Sequence, residues 1–202
     1  MTSIKSTWEQ SLDTAYSLAE EELRSLTPQE VAKRAGVRYH GGVFLVPFLG
    51  RLYRIQMPQV KIEDEEGGTP SRIREILILH YLIQATGDDP GKKWVDFRSL
   101  PGGMNYYPVF KRRIIDPLVR LYGGEPEGLL QRYSSIGGRR VEVADVAVLI
   151  PAFPKVEVVF GLWRGDEEFP PRGVILFQEG VTQYLSTEDA IMVCQEILFP
   201  SK

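Results

Sequence analysis

The sequence predicts an α+β fold, in which helices and antiparallel strands occupy separate stretches of the chain. Three observations indicate this class. Apolar residues recur at helical spacing near the start, a two-residue period appears at 37–63 and again after Arg139, and an apolar run, Ile76–Ile83, lies between these strand-rich stretches. Strands that cluster rather than alternate with helices are typical of antiparallel sheets, so we expect the α+β class.

Two helices are predicted at the N-terminus. Across Thr7–Leu26, apolar residues that include Trp8 recur every three or four positions, and acidic residues occupy the opposite face. Thr27 and Pro28 then offer a capping residue and a proline at the first helical position, so a second, shorter helix should follow and end at Gly36.

An antiparallel meander and a central helix should come next. The stretch 37–63 is rich in β-branched and aromatic residues that glycine and proline interrupt, which predicts three or four short strands. A helix is expected over 71–86, because Thr69, Pro70 and Ser71 open it and Gly87 ends the pattern. From Ile76 to Ile83 this helix has almost no polar face, so it must be covered from several sides. We therefore expect one compact domain over residues 1–202.

The following stretch predicts a turn among helices. A strand pattern over 93–98 leads into the tetrad Leu100–Gly103, which has the proline and glycine that a type II turn requires. A helix should then occupy 106–115. Asp116 and Pro117 should act as the cap and first residue of a further helical turn or two, and a short helix should follow over 127–133.

A second antiparallel sheet and a closing helix are expected toward the C-terminus. The two-residue period predicts strands over 141–150, 156–163 and 174–177. Ser186–Asp189 resembles a capping box, and the helix that it starts should cover 190–198.

Composition limits the classes of function. The 202 residues carry a formal charge of −3, which argues against general nucleic-acid binding, since such proteins usually have a strong basic excess. Cys194 is the single cysteine, so neither an internal disulfide nor an all-cysteine iron–sulfur site can form within the chain. We see no apolar signal core and no apolar run long enough to span a bilayer. A cytoplasmic protein with no membrane or nucleic-acid partner is therefore expected.

Five fragments carry a resemblance to a known family: Phe48–Tyr53, Leu79–Leu82, Trp94–Gly103, Trp163–Pro170 and Tyr184–Asp189. In this order they resemble the domain of unknown function 3786, found mostly in anaerobic bacteria and archaea, and the similarity covers about residues 10–193. Some members are fused to a cysteine-rich iron–sulfur module, so the resemblance implies a setting in anaerobic redox or one-carbon metabolism. This chain departs from that form because it has one cysteine. The resemblance implies no particular activity or catalytic residue.

The tetrad Leu100–Gly103 is the first candidate site. It leads into a helix start, where free backbone N–H groups and the positive end of the helix dipole can hold a phosphate or carboxylate. Our first hypothesis is therefore an accessory protein that binds an anionic small molecule or cofactor, whose identity the sequence does not determine. The candidate ligand-binding residues are Arg98, Gly102, Gly103, Tyr106, Lys111 and Arg112. The alternative is a tight turn beside a solvated basic helix face.

Adjacent carboxylates form the second candidate site. Asp166, Glu167 and Glu168 could bind a divalent cation, or two of them could act as general acid and base. Neighbouring residues of an extended segment point in opposite directions, so the three meet one ion only if the loop bends sharply. The alternative is solvated loop charge. A cation-dependent enzyme is thus the second hypothesis, and a protein-interaction module for a redox partner is the third.

His80 is the third feature, because it lies on the most apolar helix. A buried neutral histidine could be a metal or haem ligand, with His40, Met57 or Cys194 opposite, or it could hydrogen-bond within the core. The chain has two histidines, which excludes a histidine-rich metal site, and we favour the structural role. We interpret Cys194 as an inert buried thiol.

Overall fold

A computed structural model describes residues 6–201 and confirms the α+β class. Helices open the chain, a four-stranded antiparallel sheet follows, and a central helix connects it to further helices. A five-stranded antiparallel sheet and a closing helix complete the order that the sequence predicts.

Helix α1 spans Thr7–Ser25 and begins with a capping box that the sequence pattern did not identify. The Ser6 hydroxyl accepts from the Glu9 N–H at 3.3 Å, and the Glu9 carboxylate accepts from the Ser6 N–H at 2.7 Å. Leu23 is buried on the inner face, but Trp8, which the periodicity assigns to that face, is 59% exposed. The apolar face of α1 therefore meets the core only in the later part of the helix.

Helix α2 spans Pro28–Ala35 and agrees with the prediction except at its cap. Proline occupies the first position, and Gly36 ends the helix with a φ of +67°. The Thr27 side chain makes no capping hydrogen bond, so the predicted side-chain cap is wrong.

The first sheet is the expected meander, with four strands in sequential order. They are β1 over Arg38–His40, β2 over Val43–Phe48, β3 over Arg51–Gln56 and β4 over Lys61–Glu63. In β3, Tyr53 and Ile55 are buried while Arg54 between them is exposed, which confirms the two-residue period.

The turn between β2 and β3 has an unusual backbone. Leu49 and Gly50 have φ angles of +48° and +75°, and the left-handed region is unfavourable for leucine. A side chain at Gly50 would lie 2.7 Å from the Ile136 Cβ atom. The turn therefore packs closely against the segment around Ile136.

The central helix α3 spans Arg72–Gln84 after the N-cap residue Ser71 and is buried on most sides, as predicted. Helices α1 and α2 pack against it, and one continuous core joins it to residues of both sheets. The Tyr81 hydroxyl donates to the Ala35 carbonyl oxygen and accepts from the Lys155 N–H. Tyr81 thereby ties α3 to the end of α2 and to the second sheet.

The strand β5 spans Trp94–Asp96 and is shorter than predicted. The Asp96 carboxylate accepts from the Arg98 N–H at 3.0 Å and starts a 3-10 turn over Phe97–Ser99. Side-chain hydrogen bonds of this kind compete with strand pairing, which explains why the strand ends early.

A helical stretch in three parts follows the tetrad. It consists of α4 over Gly103–Phe110, a π-helical turn over Lys111–Ile115 and α5 over Asp116–Tyr122. Asp116 is not a cap, contrary to prediction, because its backbone is helical and its N–H donates to Lys111 O, five residues earlier. α-Helical hydrogen bonding resumes after the π-helical turn at Pro117. Because Pro117 has no N–H to donate, the helix continues there without a break.

The second sheet has the strand order β5-β9-β8-β7-β6, with all neighbours antiparallel. After α6 over Gly128–Ser134 come β6 over Arg139–Arg140, β7 over Val146–Phe153, β8 over Val156–Trp163 and β9 over Arg172–Gln178. Strand β7 starts later than the predicted Val141 and continues past Pro151, where the register shifts between Pro151 and Phe153. A bulge of this kind accommodates a proline within a sheet.

Helix α7 spans Thr187–Leu198, and its capping box is confirmed. The Ser186 hydroxyl accepts from the Asp189 N–H at 3.1 Å, and the Asp189 carboxylate accepts from the Ser186 N–H at 3.1 Å. Within residues 6–201, none of the helices has both the length and the apolar character that crossing a bilayer requires.

Candidate functional site

The tetrad forms the predicted type II turn. The Gly103 N–H donates to Leu100 O at 2.8 Å, and Gly102 has φ +71° and ψ −4°, as the third residue of such a turn must. Open space surrounds Gly102, whereas a Cβ atom at Gly103 would lie 1.9 Å from the Phe97 carbonyl oxygen. Gly102 is therefore required for its backbone conformation, and Gly103 is required for close packing on the 3-10 turn.

A groove of about 980 Å³ opens beside this turn, a volume at the upper end of the roughly 300–1,000 Å³ of small-molecule sites. Helix α4 and the π-helical turn form one wall, and α7 forms the other. Gly102 and Tyr106, two residues of the predicted site, belong to the lining. Most of the remaining lining is apolar and includes Trp8, Ile73, Val109, Ile191, Met192 and Phe199.

The groove carries one basic side chain in the described part of the chain, Arg113 of the π-helical turn. Arg113 is exposed and forms no ion pair with any residue between 6 and 201. Glu188 is exposed in the facing wall, and the buried Glu196 is already paired with Arg74. Arg113 is therefore available to a ligand.

The two walls are joined at one end of the groove. The Thr187 hydroxyl, in the first turn of α7, donates to the Pro101 carbonyl oxygen at 2.8 Å. Large aromatic side chains are exposed around the groove, with Trp8 at 59%, Tyr106 at 60% and Phe199 at 48%. The tetrad is thus held against α7, while the groove itself stays open.

Four of the predicted ligand-binding residues lie outside the groove lining: Arg98, Gly103, Lys111 and Arg112. The Arg98 Nε atom donates to the Asp96 carboxylate at 2.9 Å, and its guanidinium lies over the Tyr107 ring. Lys111 is paired with Asp116, and Arg112 is exposed to solvent. Two of these positive charges are therefore partly neutralised by neighbouring carboxylates.

The start of α4 has fewer free backbone N–H groups for binding an anion than the sequence predicts. The N–H groups of Asn105 and Tyr106 donate to Gly102 O, and that of Gly103 donates to Leu100 O. A helix start binds anions through N–H groups that have no partner, and here most of them are used within the turn.

The acidic loop uses one of its carboxylates for local structure. The Asp166 carboxylate accepts from the N–H of Phe169 at 2.7 Å and from that of Glu168 at 2.8 Å, and these bonds lower the pKa of Asp166. No group of three or more histidine, cysteine, aspartate or glutamate side chains in residues 6–201 is arranged to hold a metal ion. The structure thus supplies no ligand set for the cation hypothesis.

His80 has a specific partner that the sequence did not reveal. Its Nδ1 atom lies 2.7 Å from the Asp189 Oδ1 atom. Burial opposes a charged ring, but the hydrogen bond and the charge of Asp189 outweigh it and raise the pKa of His80. His80 is therefore a part-buried residue that is hydrogen-bonded to a carboxylate of α7. Cys194 is fully buried, and burial raises the pKa of its thiol well above the ordinary value.

The sequence did not indicate that α7 forms a wall of the groove, or that Trp8 and Arg113 belong to its lining. The capping box at Ser186 located the start of α7, but nothing in the local pattern indicated which segment α7 faces. Arg113 lines the groove whereas its neighbours Lys111 and Arg112 do not, and the sequence gives no signal of the π-helical turn that carries all three residues.

Comparison with known proteins identifies a family. The model of the domain of unknown function (DUF3786) matches residues 27–199, which include the turn and both long walls of the groove. No curated protein and no solved structure matches the chain. The match covers most of the chain and agrees with the resemblance seen in its motifs, so the protein belongs to the family of this domain of unknown function.

Proposed function

We propose that this protein is an accessory protein that binds an amphipathic anionic small molecule or cofactor in the groove between α4 and α7. The observation that carries the proposal is the unpaired Arg113 on a groove whose lining is mostly apolar. Small-molecule sites typically combine such apolar walls with a few polar groups that orient the ligand.

The lining indicates the chemistry of the ligand. An extended apolar body would pack on Val109, Ile191 and Met192, and a carboxylate or phosphate at one end would meet Arg113. Glu188 on the facing wall disfavours a second negative charge nearby. We therefore expect a ligand with one anionic end and not a compact polyanion.

The setting of this activity is part of the same proposal. A cytoplasmic location is supported by the single cysteine, and a role in anaerobic metabolism is supported by the family resemblance. A protein-interaction module for a redox partner is the second candidate, which the exposed Trp8, Tyr106 and Phe199 favour because aromatic side chains are enriched at protein interfaces.

A matched pair of probes tests the proposal. Binding of decanoate and of decanol to the purified protein is measured by calorimetry, which separates the apolar contribution from the charged one. Arg113→Gln should weaken decanoate about tenfold or more, since a hydrogen bond to a charged group contributes about 1.5–3 kcal/mol, and should leave decanol unchanged. Arg112→Gln, on the same turn but outside the groove, is the control.

A second variant tests the location. Met192→Trp should obstruct the apolar wall next to Ile191 and weaken binding of both probes without unfolding the protein, because Met192 is only partly buried. The proposal is wrong if decanoate does not bind the unmodified protein, or if Arg113→Gln and Arg112→Gln reduce its affinity equally. Native mass spectrometry and an absorption spectrum of anaerobically purified protein would then identify a ligand or a co-purified partner.

A further inference from the structure

A second cavity of about 230 Å³ lies near the groove and shares Glu196 with it. Its walls come from the β2–β3 turn, from α3 and α6, and from the end of α7. Three arginines line it, Arg51 from β3, Arg74 from α3 and Arg132 from α6. The sequence separates them widely, so only the fold brings them to one cavity.

The deepest of these arginines is fixed in place. The Arg74 side chain is 11% exposed, and its Nε atom donates to the Glu196 carboxylate at 2.7 Å. The Tyr53 hydroxyl lies 3.4 Å from Arg74 Nη1. Glu196 also accepts from the N–H and the hydroxyl of Ser201, at 3.2 and 2.9 Å. One charge of the cavity is therefore balanced within the protein.

The charges of the other two arginines are not compensated by a carboxylate within residues 6–201. Arg51 and Arg132 are exposed, and neither pairs with a carboxylate anywhere in residues 6–201. Three guanidinium groups against the single carboxylate Glu196 leave the cavity positive, although the whole chain carries a formal charge of −3. Converging arginines match the oxygen atoms of phosphate and carboxylate groups in geometry as well as in charge.

The backbone beside Arg51 is held in a costly conformation. Leu49, which lines the cavity, has a φ of +48°, and Gly50 follows at +75°. Close packing of Gly50 on Ile136 holds the turn in place, and Ile136 is itself part of the cavity wall. Strained residues that the surrounding structure maintains are frequent at ligand sites. This observation is independent of the charges and concerns the same cavity.

We infer that Arg51, Arg74 and Arg132 form a binding site for a phosphate group, distinct from the groove. The cavity is smaller than the roughly 300 Å³ at which sites for whole drug-sized ligands begin, so it suits a compact group. The phosphate is either the free ion or the end of a monoester whose remaining part stays outside the cavity. This site does not depend on the groove and stands if the groove proposal fails.

Calorimetry with inorganic phosphate and with glycerol 3-phosphate, against chloride at equal ionic strength, tests this site. The double variant Arg51→Gln, Arg132→Gln should reduce the affinity for both ligands at least tenfold. Its melting temperature in chloride should stay that of the unmodified protein, since both side chains are exposed and unpaired. The control is Arg112→Gln, Arg120→Gln, which removes two exposed charges outside the cavity and should change neither affinity.

The two probes separate the sources of the phosphate. Tighter binding of glycerol 3-phosphate assigns the cavity to a monoester, and tighter binding of inorganic phosphate assigns it to the free ion. Absence of saturable binding of both probes would overturn the inference. So would an equal loss in the two double variants, because the effect would then reflect overall charge and not this cavity.

Discussion

His80 and Asp189 form a part-buried hydrogen-bonded pair between two helices, α3 and α7, although 109 residues separate them in sequence, and protonation of His80 makes it an ion pair. The Asp189 side chain is 3% exposed, and its second oxygen accepts from Gln84 Nε2 at 3.1 Å. The same carboxylate belongs to the capping box at Ser186. One buried aspartate thus starts α7 and attaches it to the central helix.

This pair predicts a stability that depends on pH. Burial opposes the charge on both groups, yet their mutual interaction raises the pKa of His80 and lowers the pKa of Asp189. The His80 contribution is complete below the unfolded pKa of about 6.5 and is lost as pH rises through the higher folded value. The Asp189 contribution is present above about pH 4 and is lost as pH falls through the lower folded value.

The corresponding measurement compares the unmodified protein with His80→Gln by urea unfolding from pH 4 to pH 9. The variant should be less stable by about 1.5–3 kcal/mol near pH 5.5, the range for a hydrogen bond to a charged group. The difference should shrink as pH rises toward 9, because loss of the ring proton removes the charge that interacts with Asp189. A difference that stays constant across this range would contradict the ion pair.

The part-buried pair of Arg74 and Glu196 predicts that a single variant is less stable than the double variant. Glu196→Leu leaves a part-buried guanidinium without its partner, so it should cost about 3 kcal/mol of unfolding free energy, the lower end of the range for a broken buried pair. The double variant Arg74→Met, Glu196→Leu removes both charges and should recover at least half of that loss. Urea unfolding at pH 7 measures both, and a double variant that is less stable than Glu196→Leu would argue against the pair.

The adjacent glycines of the tetrad predict unequal costs for the same substitution. Gly102→Ala places an alanine at φ +71° in open space, which should cost about 1–2 kcal/mol. Gly103→Ala forces a methyl group against Phe97 O and should cost about 3 kcal/mol or more. Denaturant midpoints of the two variants provide the comparison. Equal midpoints would mean that α4 does not pack on the 3-10 turn as described.

One experiment distinguishes a cation site in the acidic loop from solvated loop charge. The cation hypothesis for Asp166, Glu167 and Glu168 predicts that calcium, magnesium or manganese raises the melting temperature, and that Asp166→Asn with Glu168→Gln reduces this effect. The hydrogen bonds from Phe169 and Glu168 to Asp166 favour the other outcome, no change with any of the three ions. A melting series with each chloride salt, against sodium chloride at equal ionic strength, distinguishes the two.

Local patterns predicted most elements but not all of their ends. The apolar run of α3, the turn at Pro101 and Gly102 and the capping box at Ser186 depend on residues a few positions apart, and each appears in the structure. The predicted cap at Asp116 failed because proline signals a helix start only on average. Here the π-helical turn accommodates it within a continuing helix.

The sequence by itself determined the α+β class, the order of the elements and the position of the glycine turn, because short-range periodicity and turn chemistry specify these. The tertiary structure decided which side chains meet. Arg74 reaches Glu196 across 122 residues, and Arg113 rather than Lys111 or Arg112 lies on the groove. Spacing along one segment does not determine which segment packs opposite, since that depends on how the whole core is filled.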